Sequence, residues 1–325
     1  MTRARLQDVA DRAGVSTATV SLVLRGRPGP SEPTRQRVRA AAEELGYRAD
    51  RAASLLARRR SRLVGVVLDV TSPYHGELAA GLDEEAAERG LELVLVTTTA
   101  RRSEAEALET VRDSRCEAVV LLGPCLPAER LAELDAACPV VALGRDLGAA
   151  GDSVLVDDRA LMELAVAHLA ERGHRRLAHV DGGRGQISAA RRRAFRAAVR
   201  ARPSLGGEVL AGGTTEEAGM AAGAELSARS AAERPTAVVA FNDRAALGIR
   251  EAALRAGVAV PEDLALVGID DSPLARLATV SLTSVGQDPA GQAAVALGLV
   301  EQRLAGAPST GARRLEPRLR VRGTT

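Results

Sequence analysis

Short hydroxyl side chains cluster in one segment near the start of the chain. They are Ser16, Thr17, Thr19 and Ser21. Short hydroxyls at the start of a helix can bond phosphate oxygens and let the backbone approach closely. Thr17, Ala18 and Leu22 could also touch base edges or thymine methyl groups. This pattern favours DNA binding, and the alternative is an ordinary amphipathic helix in a small core.

Other residues capable of chemistry do not form a catalytic set. Asp181-Gly-Gly-Arg-Gly-Gln follows an apolar run like a phosphate-binding turn, but Ser188 stands where a dinucleotide fingerprint needs its third glycine. A Gly-x-x-x-x-Gly-Lys loop is impossible because the chain has no lysine, and a Gly-x-Ser-x-Gly turn is missing too. The histidines lack metal-site spacing and are expected to make local structural bonds. They are His75, His168, His174 and His179. We therefore expect no enzyme activity, cofactor or metal.

The cysteines are odd in number and form no Cys-x-x-Cys pair. Cys116, Cys125 and Cys138 lie in apolar stretches, so buried reduced thiols are expected rather than disulfides.

Three short helices would position the hydroxyl segment. Leu6, Val9, Ala10 and Ala13 recur at helical spacing, and Gly14 ends the pattern. Ser16 can cap a second helix and Ser31 a third, which has Pro33 in its first turn. Two helices joined by one tight turn have the spacing of a helix-turn-helix. A further nine-residue stretch from Asp50 to Arg58 is too short to be stable alone.

Beyond Leu63 the pattern changes to continuous apolar runs that alternate with amphipathic helical stretches. The runs are Leu63 to Leu68, Leu91 to Val96, Ala118 to Leu122, Val140 to Leu143, Leu177 to Val180, Ala237 to Ala240 and Leu264 to Val267. The helical stretches include Glu77 to Arg89, Asp157 to Arg172 and Asp243 to Ala256. Continuous runs suit strands buried on both faces of a parallel sheet. A doubly wound α/β body with two lobes is predicted, with ligands at the carboxyl ends of its strands.

The charge is distributed unevenly along the 325 residues. Residues 1–62 hold 14 arginines and 6 acidic side chains, whereas the remainder holds 30 and 36. A basic head on an acidic body suggests an anionic partner for the head, most simply nucleic acid. All 44 basic residues are arginine, which we attribute to coding bias, so arginine content alone is weak evidence for phosphate binding. With no apolar leader or membrane-spanning run, a cytoplasmic protein is expected.

Ordered motifs along the whole chain resemble the LacI/GalR (lactose-repressor) family of transcriptional regulators. They lie at residues 6–24, 31–38, 44–53, 168–178, 241–248, 261–271 and 282–288. The resemblance implies a DNA-binding headpiece at 1–48, a hinge helix at 49–60 and a core at 61–325 similar to periplasmic sugar-binding proteins. Lobe 1 would comprise about 61–155 and 287–316, and lobe 2 about 156–286 and 317–325.

The resemblance also assigns roles in DNA binding. Phosphates would be held by Ser16, Thr19, Ser21, Thr34 and Tyr47, and bases would be read by Thr17 and Ala18. Leu22 departs from the arginine of many members and can make only apolar contact, for which Arg25 could partly compensate. In the hinge, Arg51, Ala53 and Leu56 would contact DNA, with Leu56 as a wedge in the minor groove. The alternative for the hinge is a linker helix that caps the core.

In the core, the matching positions imply an effector pocket between the lobes. Its candidate residues are Asp69, Tyr74, Arg191, Asn242, Asp270 and Gln287. Arg192 competes with Arg191, and three consecutive arginines could instead form a solvated face. Asn242 could merely cap a helix, and Asp270 could merely fix a turn. Gly144 replaces an aspartate of many sugar-responsive members, and the two Phe and two Tyr of the chain supply few aromatic walls.

The predicted function is that of a homodimeric repressor that binds a palindromic double-stranded operator. A small-molecule effector, expected to be a sugar or derivative, would release it by altering the lobes and the hinge. The alternatives are a cytoplasmic solute-binding protein and a corepressor-dependent regulator with a non-sugar effector.

Overall fold

Residues 4–24, 26–47 and 61–325 are described by a computed structural model, in which the chain divides into two units, Met1–Ser61 and Arg62–Thr325. The predicted hinge helix at 49–60 lies outside the described residues, as do Arg25, Arg51, Ala53 and Leu56.

The first unit contains the three predicted helices. They are α1 (Leu6–Ala13), α2 (Thr17–Leu24) and α3 (Glu32–Glu44). Gly14 ends α1 at a φ of 65°, a left-handed conformation that glycine adopts without a steric penalty. The hydroxyl of Ser16 accepts the N–H of Thr19 at 3.1 Å, as expected of the cap of α2. Ser31 precedes α3, but its hydroxyl pairs with that of Thr34 at 3.0 Å instead of with a main-chain N–H.

One small apolar core joins these helices. Val9, Val20 and Val38, one from each helix, are completely buried. Partly buried side chains, including Leu6 and Tyr47, pack against them. The hydroxyl segment is therefore fixed to a folded base and not carried on a free loop.

The second unit alternates strands and helices. Its strands are β1 (Leu63–Asp69), β2 (Glu92–Thr98), β3 (Ala118–Leu122), β4 (Val140–Leu143), β5 (Asp152–Val156), β6 (Arg176–Val180), β7 (Gly206–Leu210), β8 (Ala237–Ala240), β9 (Ala265–Asp270), β10 (Thr283–Gly286), β11 (Ala312–Leu315) and β12 (Arg318–Arg320). Its helices are α4 (Pro73–Glu88), α5 (Glu104–Asp113), α6 (Ala128–Ala137), α7 (Asp158–Glu171), α8 (Gln186–Arg200), α9 (Glu216–Ser227), α10 (Asp243–Arg255) and α11 (Pro289–Leu304).

These strands form two sheets, which define lobe 1 and lobe 2. The order is β11-β5-β4-β3-β1-β2 in lobe 1 and β12-β10-β9-β8-β6-β7 in lobe 2. All pairs are parallel except β10 with β12. The chain passes between the lobes after β5, after β10 and after β11. The predicted α/β class with two parallel-sheet lobes is confirmed.

Both faces of each sheet are covered by helices. In lobe 1, Val64 and Val66 pack in a cluster with Leu82 of α4 and Leu297 of α11, whereas Val67 joins a cluster on the opposite face. Lobe 2 has a corresponding pair of clusters. This explains why the strands read as continuous apolar runs.

Several predicted boundaries and thiol environments need correction. β2 begins and ends later than predicted, β9 continues to Asp270, and α4 begins at Pro73, where the hydroxyl of Ser72 caps it.

The cysteines are free, but Cys125 is exposed and the other two are only partly buried. Within the described ranges, no helix is both long and apolar enough to cross a bilayer.

Candidate functional site

A cavity of 260 Å³ lies where the carboxyl ends of strands from both lobes face each other. All six residues predicted for effector binding line it: Asp69, Tyr74, Arg191, Asn242, Asp270 and Gln287. Asp69 ends β1 and Asp270 ends β9, whereas Gln287 lies at a passage between the lobes. The topology alone brings these distant positions together.

Arg191, and not Arg192, faces this cavity. The buried Arg191 guanidinium donates to Asp158 at 3.1 Å, to the main-chain oxygen of Phe241 at 2.6 Å and to Gln287 at 3.4 Å. It also lies over the Phe241 ring, 4.7 Å from the centroid. Arg192 instead binds Asp181 at 2.5 Å. The geometry therefore decides between the two arginines and fixes Arg191 rigidly.

Asp270 presents a buried carboxyl group at the end of β9. Gln287 donates to its Oδ1 at 2.6 Å, and no described residue donates to Oδ2. Burial, reinforced by the nearby Asp243, raises the pKa of Asp270 well above its usual value, although Arg191 opposes this. Its backbone φ of 119° is uncommon for a residue other than glycine. A strained, incompletely bonded carboxyl of this kind is suited to a ligand hydroxyl.

Asn242 both caps a helix and borders the cavity. Its Oδ1 accepts the N–H of Ala245 at 2.8 Å, at the start of α10, and its Nδ2 donates to the oxygen of Thr214 at 3.0 Å. Asn242 therefore does cap the helix, and it also lies in the lining of the cavity.

Tyr74 is held against the cavity by Gln292, a residue that the sequence analysis did not select. Gln292 donates to the Tyr74 hydroxyl at 2.5 Å and to the main-chain oxygen of Gln287 at 2.7 Å. Because that hydroxyl accepts from Gln292, its own proton remains available to a ligand. Burial, and then the charge of Asp270, raises the pKa of Tyr74, so the group stays a neutral donor.

His75 also lines the cavity and was expected only to make a local bond. It does make one, since its Nδ1 accepts the N–H of Asp69 at 3.1 Å. The ring proton of neutral His75 must then lie on Nε2. Burial lowers the pKa of His75, which favours this neutral form. The sequence did contain a signal for this residue, because His75 directly follows Tyr74, which was predicted to bind the effector.

Gly144 lies at the edge of the cavity, next to Ile187. Gly144 has a φ of 82°, and a side chain there would be strained and would meet Ile187 at 3.4 Å. Gly144 has no side chain and therefore does not supply the carboxylate that an aspartate would place here. Tyr74 and Phe241, two of the four Phe and Tyr residues, do line the cavity, so it has more aromatic surface than composition suggested.

The cavity thus combines neutral donors, the Arg191 guanidinium, two carboxyl groups, amides and two aromatic rings. These groups match a small ligand with several hydroxyls, each able to donate and accept. Among the described residues, no group of three or more His, Cys, Asp or Glu side chains is placed to hold a metal ion.

The first unit presents a separate surface. Ser16, Ala18 and Leu22 are exposed, whereas Thr17 and Thr19 are half-buried. Leu22 exposes 41% of its surface, so its side chain is open to an apolar contact. The remaining predicted contacts, Ser21, Thr34 and Tyr47, are half-buried. Tyr47 packs on the small core, so only its polar end could reach a phosphate.

Two family descriptions match the chain. The sequence model described as "Bacterial regulatory proteins, lacI family" matches residues 5–50. The one described as "Periplasmic binding protein-like domain" matches residues 166–325.

Individual proteins are similar over nearly the whole chain. An HTH-type transcriptional regulator MalR of Streptomyces coelicolor is 35% identical, covering 99% of this chain and 96% of that protein. The structure of the lac repressor dimer bound to operator and the anti-inducer ONPF has a TM-score of 0.85 at 26% identity, covering 100% and 99%. That of a transcriptional regulator CelR–cellobiose complex has a TM-score of 0.73 at 30% identity, covering 99% and 100%.

Proposed function

The chain belongs to the lacI family of bacterial regulatory proteins, and from this premise we propose that it is a homodimeric repressor released from its operator by a carbohydrate bound between its lobes. The observation that carries the proposal is the convergence of the six residues predicted for effector binding on one 260 Å³ cavity. We further propose that it acts in the cytoplasm, where its DNA lies.

The first unit supplies the DNA contacts. The hydroxyls of Ser16 and Thr19 lie 3.0 Å apart at the start of α2, and Ala18 and Leu22 are exposed on the same helix. This arrangement suits phosphate bonds beside an apolar reading face in the major groove. One headpiece covers too little DNA for high specificity, so two copies would bind the two halves of a palindrome.

The hinge would couple the two units. Leu56, which lies outside the described residues, remains our candidate for the minor-groove wedge, and Arg51 and Ala53 remain candidates for neighbouring contacts. A ligand that draws the lobes together would move the ends to which the hinge is attached. Its short helix would then lose contacts and DNA affinity would fall.

A carbohydrate fits the core better than a flat apolar ligand. The side chains of Tyr74 and His75 offer protons, whereas Asp270 offers an oxygen, and these groups surround a small volume. The structure of the similar regulator CelR in complex with cellobiose supports the same ligand class. We expect Arg191 and Gln287 to orient the sugar hydroxyls, since their side chains are themselves fixed by protein contacts.

The test is selection of DNA by the full chain from a random duplex pool, followed by titration with a panel of sugars. The expected result is a two-fold symmetric sequence whose complex one sugar dissociates. Failure to enrich any sequence would contradict the DNA-binding assignment. Enrichment of a sequence without two-fold symmetry would contradict the proposed homodimer. A sugar that tightens the complex of protein and DNA would mean that this sugar acts as a corepressor.

A pair of variants separates the two activities. Ala18→Asp places a negative charge on the exposed face of α2 and should abolish DNA binding while sugar binding persists. Ala40→Asp, at an exposed position of α3, is the matched control. A solute-binding protein without a DNA role would show no difference between these variants.

A further inference from the structure

A second cavity of 550 Å³ adjoins the effector cavity in the same cleft. The two share Gly144, Val156, Ile187, Arg191 and Gln287 as lining residues. The second cavity, which we name the arginine chamber, is lined by the first turn of α7, by α8 from Gln186 to Ala197 and by the loop after β4. A ligand in the effector cavity could therefore extend into the chamber without crossing a barrier of main chain.

The chamber carries an excess of positive charge. Five arginines line it, namely Arg145, Arg159, Arg191, Arg193 and Arg314, against three acids, namely Asp146, Asp157 and Asp158. Residues 63–325 as a whole hold more acidic than basic side chains. The local excess is therefore opposite in sign to the charge of the body that contains it.

The three acids are already occupied within the protein. Asp158 accepts from Arg191 at 3.1 Å, and Asp146 pairs with Arg314 at 3.4 Å. Asp157 caps α7 by accepting the N–H of Arg159 at 2.8 Å. Ion pairs within the chamber thus engage two of the five arginines. The other three form no ion pair there, although Asp157 keeps its charge. The hydrogen bond from Arg202, and then the charge of Arg159, lower the pKa of the nearby Glu163.

Those three arginines are Arg145, Arg159 and Arg193. Arg145 donates to the main-chain oxygens of Pro124 and Leu126, which carry no net charge, and its buried Nε has no partner among the described residues. In the same part of the chain, neither Arg159 nor Arg193 makes a side-chain hydrogen bond or ion pair. Both residues are exposed and line the chamber, Arg159 from α7 and Arg193 from α8.

The start of α8 adds to this positive field. Its N-cap position is Gly185, which has no side chain to satisfy the first N–H groups, and Gln186 and Ile187 of the first turn line the chamber. Unsatisfied N–H groups at a helix start favour anions. The start of α8 therefore adds to the attraction of the arginines for an anion, but it would not suffice to bind an anion without them.

We propose that the effector is an acidic sugar, with its hydroxyls in the effector cavity and a phosphate or carboxylate in the arginine chamber. This inference rests on the proposed carbohydrate-binding function and narrows its ligand class. A guanidinium can bind either anion through two parallel hydrogen bonds. Arg159 and Arg193 would supply these bonds, while Arg191 joins the two parts of the site.

The test uses the full chain and sugars matched in all but charge. Calorimetric titration would compare glucose with glucose 6-phosphate and glucuronate, ribose with ribose 5-phosphate, and inorganic phosphate alone. For the sugar that fits, the acidic form should bind at least ten-fold more tightly than the neutral one, and added salt should weaken this preference. Comparing the phosphate with the uronate identifies which anion is used.

Variants assign the preference to the chamber. In Arg159→Gln/Arg193→Gln, the ratio of neutral to acidic Kd should fall towards one, with operator binding retained as a check of folding. Arg196→Gln, at an exposed position of the same helix α8 outside the chamber, should keep the wild-type ratio.

Each other outcome is decisive. Equal affinity for neutral and acidic sugars would overturn the proposal of an acidic ligand but leave a carbohydrate effector intact. A preference for acidic sugars that survives in the double variant would likewise overturn the role of the chamber but leave a carbohydrate effector intact. Inorganic phosphate that binds as tightly as the sugar phosphates would overturn the joined ligand. If no sugar of either charge binds, both this inference and the proposed effector class fail.

Discussion

Arg244 of lobe 2 donates a hydrogen bond to the main-chain oxygen of Thr71 in lobe 1 at 2.8 Å. The same guanidinium is held by Glu216, with Nε 2.8 Å from Oε1 and Nη2 2.5 Å from Oε2. Thr71 in turn donates to the carboxylate of Asp69 at the effector cavity. A residue anchored in one lobe therefore positions a ligand-facing loop of the other.

Arg244→Met should weaken sugar binding by about 1 kcal/mol, roughly five-fold in Kd, because the bond between the lobes is lost. Titration calorimetry with the sugar that dissociates the operator measures this effect. Arg250→Met is the matched control, since Arg250 on the same helix donates to Thr279 within lobe 2. Equal effects of the two substitutions would argue against a contribution of the contact between lobes.

Asp270→Asn should stabilise the protein or leave its stability unchanged, while sugar affinity falls by about 100-fold. The raised pKa of Asp270 means that its negative charge opposes folding above the ordinary carboxyl pKa, and asparagine removes this charge. Asparagine replaces one carboxyl oxygen with an amide nitrogen, which cannot accept a hydrogen bond from the sugar, and this loss accounts for the weaker binding. Calorimetric melting and titration at pH 7.5 test both parts, with exposed Asp83→Asn as the control. A lower melting temperature with unchanged affinity would contradict the assignment.

Leu22→Ala should reduce affinity for the selected operator by about ten-fold through the loss of apolar contact with a base. The slope of log K against log salt concentration should not change, because leucine neutralises no phosphate. Fluorescence anisotropy at several salt concentrations measures both quantities. Leu254→Ala removes another exposed leucine, from α10, and should leave operator binding as it is.

His179 should make the protein less stable in mild acid. Its Nδ1 donates to the oxygen of Val239 at 2.9 Å, and its buried Nε2 has no partner among the described residues. Burial lowers the pKa of His179 to about 4. The unfolded chain takes up a proton near pH 6.5, so this contribution to stability is complete above that pH and is lost as pH falls towards 4. The loss should reach about 3 kcal/mol.

Urea unfolding between pH 7 and pH 4 tests this expectation. The stability difference between wild type and His179→Gln should shrink as the pH falls, because the variant lacks the titrating ring. His174→Gln, which removes a less buried ring bonded to Thr236, should show a smaller pH-dependent change. A difference that is constant with pH would refute the assignment.

Buried parallel strands were the most predictable part of the fold. Val140–Leu143 and Ala237–Ala240 were predicted with their observed bounds, since a strand covered on both faces must be apolar throughout. The strands β7, β11 and β12 were not predicted, because they lie at sheet edges. Exposed glycine and arginine residues are tolerated there, so these strands do not form apolar runs. β5 and β10 were also missed, since both carry polar residues that only their hydrogen bonds allow to be buried. Asp152 at the start of β5 binds Arg303 and Thr310, and Ser284 of β10 donates to Asp243.

The effector cavity was predictable in its positions but not in its details. Spacing could not separate Arg191 from Arg192, because neighbouring helical residues differ in direction by about 100° and the orientation of α8 is set by packing. Gln292 and Phe241 were missed since each looks like an ordinary helix or core residue until the lobes are brought together. His75 had a chemical signal, but its partner Asp69 became evident only from the main-chain geometry.

The three passages of the chain between the lobes have a consequence for biosynthesis. The sheet of lobe 1 needs β11, which follows β5 by more than 150 residues. On the ribosome, β5 therefore waits with an unpaired edge for on the order of 10 s, while all strands of lobe 2 except β12 are synthesised. Lobe 1 is begun first yet cannot be finished until almost the whole protein has emerged. Its nascent form is the stage at which we expect chaperones to be needed most.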